Sequence, residues 1–471
     1  MMQQYKQVKA QYPGFLLFYR MGDFYELFGD DAKAAADILQ ITLTRRKTAK
    51  EGDEGVPMCG VPFHAAEGYI AKLINNGQKV ALCEQVETPE QAKKRGGAKA
   101  LVKRDVVRLY TPGTLTEDSM LNSAESNFLA SVWANKGNVY LGWLELSTGE
   151  VILSQTTSDM LNNDMARIEA KEVLTNKDTL DVLASQLKLY ESILTKESGC
   201  FNGHDDEGLI LSVYGVKTLA QLGVDKKWVK SLASLIRYVE LTQVGNLPQF
   251  KTPRLIKDKG VVQIDASTKQ NLEVTQTLKG EKKGSLVHAI DRTRTPAGAR
   301  MLKQWVTNPL TDVGAINKRL NALESLKNDI LRGKVRDSLK QTADLSRALS
   351  RLTLGRGGPR DLGAIRQTLA HMPELQKGLN QLSDPYIQEL SSDLTKAQDT
   401  QNLLKKAVKE DDDLPLLARD GKFVQKGYCA ELDKYTELSS NAVHLLQKME
   451  KRESERLKIP TLKIKYNKVW G

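Results

Sequence analysis

Cysteine and aromatic residues are scarce in this 471-residue sequence. Four cysteines are present, and aromatic side chains make up 6% of the chain. The cysteines form no CxxC pair and no ligand cluster, which excludes a disulfide scaffold and a zinc site of the usual spacing. They are Cys59, Cys83, Cys200 and Cys429. This usage predicts a reduced, cytoplasmic protein.

Long apolar runs are also missing. No stretch approaches the length of a membrane span, and the N-terminus has no apolar signal-peptide region. The sequence also lacks a basic amphipathic helix with a bulky aromatic face, which would suit a membrane surface. We therefore expect no membrane partner.

Motifs for nucleotide hydrolysis and metal catalysis are absent too. Neither "LKGEKKGSL" nor "GRGGPRDLG" has the spacing of a phosphate-binding Gly-x4-Gly-Lys-Ser/Thr loop. The five histidines lie far apart and form no HExxH pair. The sequence therefore predicts no catalysis, no cofactor and no metal for these residues.

A metal-dependent nuclease is the alternative hypothesis. A hairpin is predicted to turn at 147–149, and Glu145 lies just before that turn, where some RNase H-like nucleases carry their first metal ligand. Asp205 and Asp206 are acidic residues further along, but their spacing does not identify them as partners of Glu145. The competing interpretation makes Glu145 a solvated surface group.

Positive charge is what the sequence does have. The net charge is +11 and the pI is about 9.2, which favours an anionic partner. Two basic runs lie early, "TRRKTAKE" at 44–51 and "KKRGGAKALVKRDVVR" at 93–108, and a late run, "KIKYNK", contains Lys463, Lys465 and Lys468. Such clusters neutralise backbone phosphates, so the three runs together predict nucleic-acid binding.

The segment "LLFYRMGDFYELF" reads as extended and carries an unusual pair of side chains. In a strand, Phe24, Glu26 and Phe28 face one way, while Tyr25 and Leu27 face the other. If Tyr25 and Leu27 are core residues, a phenyl ring and a carboxylate stand together on the exposed side. The alternative is that Phe24 and Phe28 are both core residues and that Glu26 is a half-exposed edge residue.

An exposed ring beside a carboxylate suits the detection of defects in a duplex. A ring on a strand can wedge between base pairs from the minor groove and kink the helix. Unstacking costs less at a mismatched or unpaired base, and this difference is a discrimination signal. The carboxylate can accept a hydrogen bond from an exposed base edge, and it repels the phosphates of an intact duplex.

The pattern along the chain predicts a multidomain protein, α/β in its first half and all-α later. We expect one mixed α/β domain over 1–113 and a second over 114–254. Apolar residues from Ile316 onward recur at helical intervals, which predicts long helices packed along one stripe over 255–440. A further domain begins at 441–471, and the chain stops within an alternating strand, which suggests truncation.

Several segments resemble the MutS family of bacterial DNA mismatch repair sensors. The similarity extends over essentially the whole chain and includes the Phe-x-Glu motif of that family. The matching segments are "RMGDFYELFGDDA", "LTRR", "VPMCGVPFHAAEGYIAKL", "ALCEQVETP", "VVRLYTPGT", "IDASTKQNLEVTQTL", "DRTRTPAGARMLKQWV", "PRDLGAIRQTL" and "GYCAELDKY".

The resemblance implies roles for particular residues. Phe24 would stack on the mispaired base and Glu26 would hydrogen-bond to it, with Met21, Asp23 and Arg46 close to the DNA. Lys463, Lys465 and Lys468 would begin a clamp that grips the duplex backbone.

The resemblance also implies a domain plan and partners. A mismatch-recognition domain would be followed by an RNase H-like connector that does not cut DNA, which accounts for Glu145 without a nuclease, and then by core and lever helices. In the complete family member, ATP and Mg²⁺ would bind a later ATPase domain, and the protein would act as a homodimer with a MutL-type partner. Without the returning part of the core, apolar faces of the lever helices would be left unpaired.

Overall fold

The structure is a computed structural model that describes residues 1–46, 55–97, 100–256, 260–394, 397–410 and 414–464. Two sheets and a series of helices follow one another along the chain. Within the described residues, no helix has both the length and the apolar character needed to cross a membrane.

The first unit is a six-stranded mixed sheet with helices on both faces. The strand order is β3-β4-β2-β1-β5-β6. The strands are β1 (Leu16–Met21), β2 (Phe24–Phe28), β3 (Thr44–Arg46), β4 (Val56–Pro62), β5 (Val80–Gln85) and β6 (Arg104–Tyr110). The helices are α1 (Met2–Gln11), α2 (Asp30–Leu39), α3 (Ala66–Asn75) and α4 (Pro89–Gly96).

Each face of this sheet has its own apolar core. Phe18, Leu27 and Ile70 belong to the core beneath α2 and α3. On the other face, the ring of Tyr5 from α1 packs edge-on against the ring of Phe28, with 4.9 Å between centroids. Apolar residues of β1 and β2 therefore pack into both cores, because successive side chains in a strand point to opposite faces of the sheet.

The second unit is a sheet with the strand order β11-β10-β7-β8-β9-β12. β7, β8 and β9 form an antiparallel meander, while β10, β11 and β12 pair in parallel with their neighbours. The strands are β7 (Phe128–Asn135), β8 (Asn138–Glu145), β9 (Glu150–Thr156), β10 (Glu172–Thr175), β11 (Leu194–Lys196) and β12 (Arg254–Ile256). The helices are α5 (Leu161–Ile168), α6 (Lys177–Val182), α7 (Ala184–Leu187), α8 (Ser198–Phe201), α9 (Asp206–Tyr214) and α10 (Val229–Thr242).

The hairpin predicted to turn at 147–149 is confirmed, because β8 ends at Glu145 and β9 begins at Glu150. Gly149 is required at this turn. Its φ is +71°, and a Cβ atom there would lie 2.5 Å from the carbonyl oxygen of Gln249.

The helical unit follows and has only small apolar cores. Its helices are α11 (Ala266–Asn271), α12 (Leu286–Ile290), α13 (Pro296–Thr307), α14 (Val313–Ser325), α15 (Asp329–Lys340), α16 (Leu345–Thr353), α17 (Pro359–Leu379), α18 (Pro385–Ser392), α19 (Gln398–Ala407), α20 (Ala430–Ser440) and α21 (Ala442–Leu457). The expected packing along one apolar stripe is wrong for α14, where Leu320 and Leu323 are 53% and 62% exposed. The predicted domain boundaries at 113, 254 and 440 stay predictions.

Buried polar contacts join the three units. Between the first and second units, Lys79 Nζ lies 3.0 Å from Glu172 Oε1, and the Glu172 side chain is 1% exposed. Tyr238 donates a hydrogen bond of 2.6 Å to the same oxygen. Lys79 lies just before β5 and Tyr238 lies on α10, so this contact fixes the first sheet against the second unit.

Arginines of the helical unit contact both other units. Arg347 on α16 donates to Glu145 of β8 over 3.1 Å, and both side chains are almost wholly buried. The buried amide oxygen of Gln243, just after α10, accepts hydrogen bonds from Arg108 of the first unit and from Arg356 of the helical unit. One side chain of the second unit therefore bonds to both of its neighbours.

All four cysteines lie within the described residues, and all have free thiols. Cys59, Cys83 and Cys200 are buried, whereas Cys429, just before α20, is exposed. Burial raises the pKa of the three buried thiols, to about 11 for Cys59 and about 12 for Cys83 and Cys200.

Candidate nucleic-acid interface

The "LLFYRMGDFYELF" segment is a tight hairpin rather than the single strand that the sequence predicts. Met21 at the end of β1 pairs with Phe24 at the start of β2, which leaves a two-residue turn of Gly22 and Asp23. Gly22 has a φ of +58°, which suits the first central position of such a turn and would strain other residues. The turn reverses the chain so that Phe24 begins β2 at the end of the sheet.

Phe24 is exposed at the tip of this hairpin. Its side chain is 49% exposed, whereas Tyr25 and Leu27 are buried against α2 and α3, which confirms the predicted facing of the strand. Phe28 shares the face of Phe24 but is 3% exposed, because Tyr5 of α1 covers that end of the strand. The alternative in which both phenylalanines are core residues is therefore right for Phe28 and wrong for Phe24.

Glu26 lies beside Phe24 on the same face, on a central strand and not at an edge. Its Oε2 is 3.1 Å from Nη1 of Arg46, and the two side chains are 20% and 37% exposed. Burial raises the pKa of Glu26, and the positive charge of Arg46 opposes that rise. The site therefore holds a carboxyl group that protonates more readily than an exposed glutamate.

Gly60 on β4 pairs with Glu26 across the sheet and leaves the face open there. A Cβ atom at Gly60 would lie 3.8 Å from Glu26 Cγ and 4.0 Å from Phe24 Cδ1. The sequence interpretation missed this residue. Its signal is a lone glycine in the strand "VPMCGVP", a position that often marks close approach of another group.

Six of the predicted site residues lie within the part of the chain that the structure describes. Met21, Asp23, Phe24 and Glu26 share the hairpin, and Arg46 reaches it from β3. Lys463 is exposed in the irregular segment after α21 and belongs to a different part of the fold. Lys465 and Lys468 lie outside the described residues, as does the part of the first basic run from 47 onward.

The second basic run is only partly available to a ligand. Arg108 is 3% exposed and bonds within the protein to Gln243 and Glu117. Arg104 lies over the Tyr19 ring and donates a 2.8 Å hydrogen bond to the carbonyl of Arg20. Contacts within the protein therefore bury Arg108 and hold the half-buried Arg104, so the two arginines are less available to a phosphate than their place in a basic run indicates.

The structure does not support the nuclease hypothesis. Glu145 is 1% exposed and pairs with Arg347, so it is neither a metal ligand nor a solvated surface group. Asp205 accepts a hydrogen bond from the backbone of α9, and Asp206 pairs with Arg237 and with a lysine. Across the described residues, no cluster of three or more metal-ligating side chains occurs.

The fold and the site together define a multidomain protein with two α/β units, a helical unit and an exposed ring at the tip of the first sheet. Family models for successive parts of one protein match the chain. They are MutS domain I over residues 1–119, MutS domain II over 127–251 and MutS domain III over 267–459.

Known bacterial proteins are similar over the whole chain. Two proteins named "DNA mismatch repair protein MutS", from Ruegeria sp. (strain TM1040) and Ruegeria pomeroyi, are 41% and 42% identical to it over 478 aligned residues. A third, from Cereibacter sphaeroides, is 40% identical over 473. The chain belongs to the MutS family. Its full length aligns with 53–54% of each relative, so it spans about half the length of the curated relatives it matches.

Proposed function

We propose that this chain recognises mispaired or unpaired bases in double-stranded DNA and thereby starts mismatch repair. The observation that supports this most directly is the half-exposed Phe24 ring beside Glu26 on a two-residue hairpin. Phe24 would insert from the minor groove and stack on the mispaired base, and Glu26 would hydrogen-bond to it. Met21, Asp23 and Arg46 would lie close to the DNA.

The physical basis of discrimination is the cost of opening the base stack. Inserting a ring costs on the order of a few kcal/mol per base step, and less where pairing is already lost. The position of Phe24 at the start of a strand in a six-stranded sheet supports this role, because the backbone behind the ring is held by pairing on both sides. A rigid backbone reduces the entropy that insertion would otherwise cost.

The second unit and the helical unit have structures that suit the connector, core and lever roles. We infer that the second unit is an RNase H-like connector, on the basis of its β9-β8-β7-β10-β11 order with an antiparallel meander and parallel strands beyond it. The helical unit would supply core and lever helices, and the segment from Lys463 onward would begin a clamp. The buried pair of Glu145 and Arg347 supports a connector that does not cut DNA.

The proposal extends to the complete protein through its relatives, which are about twice as long. We propose that further residues, outside this chain, bind ATP and Mg²⁺ and couple their turnover to DNA binding. The complete protein would act as a homodimer with a MutL-type partner in the cytoplasm.

Replacing Phe24 with alanine should abolish the preference for a mismatch. Stacking between a base and an aromatic side chain is worth about 1–3 kcal/mol, so we expect the affinity for a G·T duplex to fall roughly tenfold or more. Affinity for the fully paired twin should change little, because phosphate contacts supply it. Fluorescence anisotropy with both duplexes at one fixed salt concentration measures the two affinities.

A matched control for this test is Tyr435→Ala, which removes a 59% exposed ring from α20, well away from the hairpin in sequence. It should leave the mismatch preference intact. Equal binding of both duplexes by the native 471-residue chain would contradict the proposal for this chain, as would a preference that survives in Phe24→Ala.

Replacing Glu26 with alanine or glutamine should raise affinity for fully paired DNA, by roughly 2- to 5-fold. The change removes a negative charge near the phosphates and releases Arg46 from its ion pair. Because burial raises the pKa of Glu26, the native chain should approach the affinity of Glu26→Gln as the pH falls towards that pKa. Anisotropy titrations across a pH series measure this, and a fall in paired-duplex affinity in either variant would contradict the electrostatic explanation.

A further inference from the structure

Behind the exposed ring, Arg20 contacts the hairpin turn. Arg20 lies on β1 and pairs with Tyr25, so its side chain is on the opposite face of the hairpin from Phe24. Its Nε donates a 2.6 Å hydrogen bond to the carbonyl oxygen of Gly22, inside the turn. The guanidinium therefore holds the turn from the face opposite Phe24.

A second contact holds the same turn through Phe63. The Arg20 guanidinium carbon lies 3.8 Å from the centre of the Phe63 ring, a close cation–π contact. The backbone N–H of Phe63 donates a 2.9 Å hydrogen bond to the carbonyl of Asp23. Both residues of the turn, Gly22 and Asp23, are thus tied to the Arg20–Phe63 pair.

The Arg20 side chain is itself fixed in place. Its Nη1 lies 3.4 Å from Glu84 Oε1, and the hydroxyl of Tyr25 donates to that same carboxylate oxygen. The Arg20 side chain is 17% exposed, so most of its surface is covered by the protein. A planar group with several donors suits this simultaneous contact with a carbonyl, a ring and a carboxylate.

We propose that Arg20 is a positioning residue for mismatch recognition, which holds the turn rigid so that Phe24 can enter the base stack. This inference rests on the function proposed above. Inserting the ring pushes the turn back towards the protein, and a loose turn would have to be ordered at the moment of binding. Paired DNA into which the ring does not insert would not place this demand on the turn.

Replacing Arg20 with methionine should therefore lower the mismatch preference on the order of tenfold and leave the paired-duplex affinity unchanged. Arg20→Lys should behave like Arg20→Met, because a lysine keeps the charge but loses the planar fork. Anisotropy gives both affinities, and 2-aminopurine beside the mismatch reports base unstacking by its fluorescence. The fluorescence increase on binding should be reduced in both variants.

A direct phosphate contact by Arg20 makes different predictions. It would lower the affinity for both duplexes alike, reduce the slope of log affinity against log salt by about 0.9, and be rescued by lysine. Any of these results would overturn the positioning role. Arg332→Met is the matched control, since it removes an arginine of α15 that pairs with Asp329 and lies outside the three basic runs, and it should change neither affinity.

The decisive measurement is a double-mutant cycle with Phe24→Ala. If Arg20 acts through the ring, Arg20→Met should cause no further loss of mismatch affinity once Phe24 is alanine. An additive loss would overturn the inference, and so would a full mismatch preference in both Arg20 variants while Phe24→Ala has lost it. If Phe24→Ala itself keeps the preference, the proposed function fails first. Thermal unfolding of each variant shows whether a loss comes from the fold instead.

Discussion

Replacing Arg347 with methionine should destabilise the protein by about 3–5 kcal/mol, because it removes one partner of a buried ion pair. The Arg347 and Glu145 side chains are 2% and 1% exposed. Arg347 also donates to the backbone carbonyls of Asn122 and Glu125, over 3.2 and 2.7 Å. In the variant, the carboxylate of Glu145 would stay buried, with the hydroxyl of Ser147 as its remaining hydrogen-bond donor among the side chains described.

Urea unfolding followed by tryptophan fluorescence measures this loss, since Trp133, Trp143 and Trp228 all lie in the second unit. The double variant Arg347→Met/Glu145→Gln should lose less stability than Arg347→Met alone, because no unpaired charge is then buried. Arg332→Met is the control. It breaks an exposed pair with Asp329 on α15 and should cost less than about 1 kcal/mol. A loss of that small size in Arg347→Met would contradict the prediction.

Replacing Glu172 with glutamine should lower the free energy of unfolding at neutral pH by about 2–3 kcal/mol, the usual worth of hydrogen bonds to a charged group. Burial by itself would raise the pKa of Glu172. The charge of Lys79 and hydrogen bonds from Thr111, Tyr238 and Thr195 outweigh burial and hold that pKa below its ordinary value. The ionised carboxylate is therefore the form that stabilises the contact between the first two units.

The sign of the pH dependence follows from that lowered pKa. The stabilisation is present above the pKa of an unfolded glutamate, about 4.3, and is lost as the pH falls through the lower pKa of the folded protein. The difference in stability between the native chain and Glu172→Gln should thus be largest near neutrality and shrink in acid. Thermal unfolding across a pH series measures it. Glu150→Gln, at a carboxylate 45% exposed, is the control, and a difference that stays constant into acid would contradict the mechanism.

Local sequence patterns predicted much of the fold and part of the candidate site. Two-residue alternation predicted that Tyr25 and Leu27 are buried, because the period of a strand is a property of neighbouring residues. That same pattern treats Phe24 and Phe28 as equivalent. Their burial differs because of Tyr5, which is 19 residues before Phe24 in the sequence and lies on α1. Its ring covers Phe28 and leaves Phe24 at the other end of the face exposed. The sequence around Phe24 and Phe28 gives no indication of this contact with α1.

Charge was harder to interpret from the sequence than alternation. Glu145 was open to a catalytic or a solvated interpretation because its partner, Arg347, lies 202 residues away. Arg104 and Arg108 read as a basic surface because the run is dense in lysine and arginine. Their neighbours Val106, Leu109 and Tyr110 are buried in a strand, and that strand carries the two arginines into contacts with other parts of the protein.

The distribution of cysteines has a practical consequence for spectroscopy. A thiol reacts as its thiolate, and burial with a raised pKa protects Cys59, Cys83 and Cys200 from modification near neutral pH. Cys429 is exposed and stands immediately before α20. A maleimide dye would therefore attach at one place in the native sequence, on the helical unit. The chain therefore needs no engineered cysteine for a fluorophore on this unit to test whether the helices respond to added DNA.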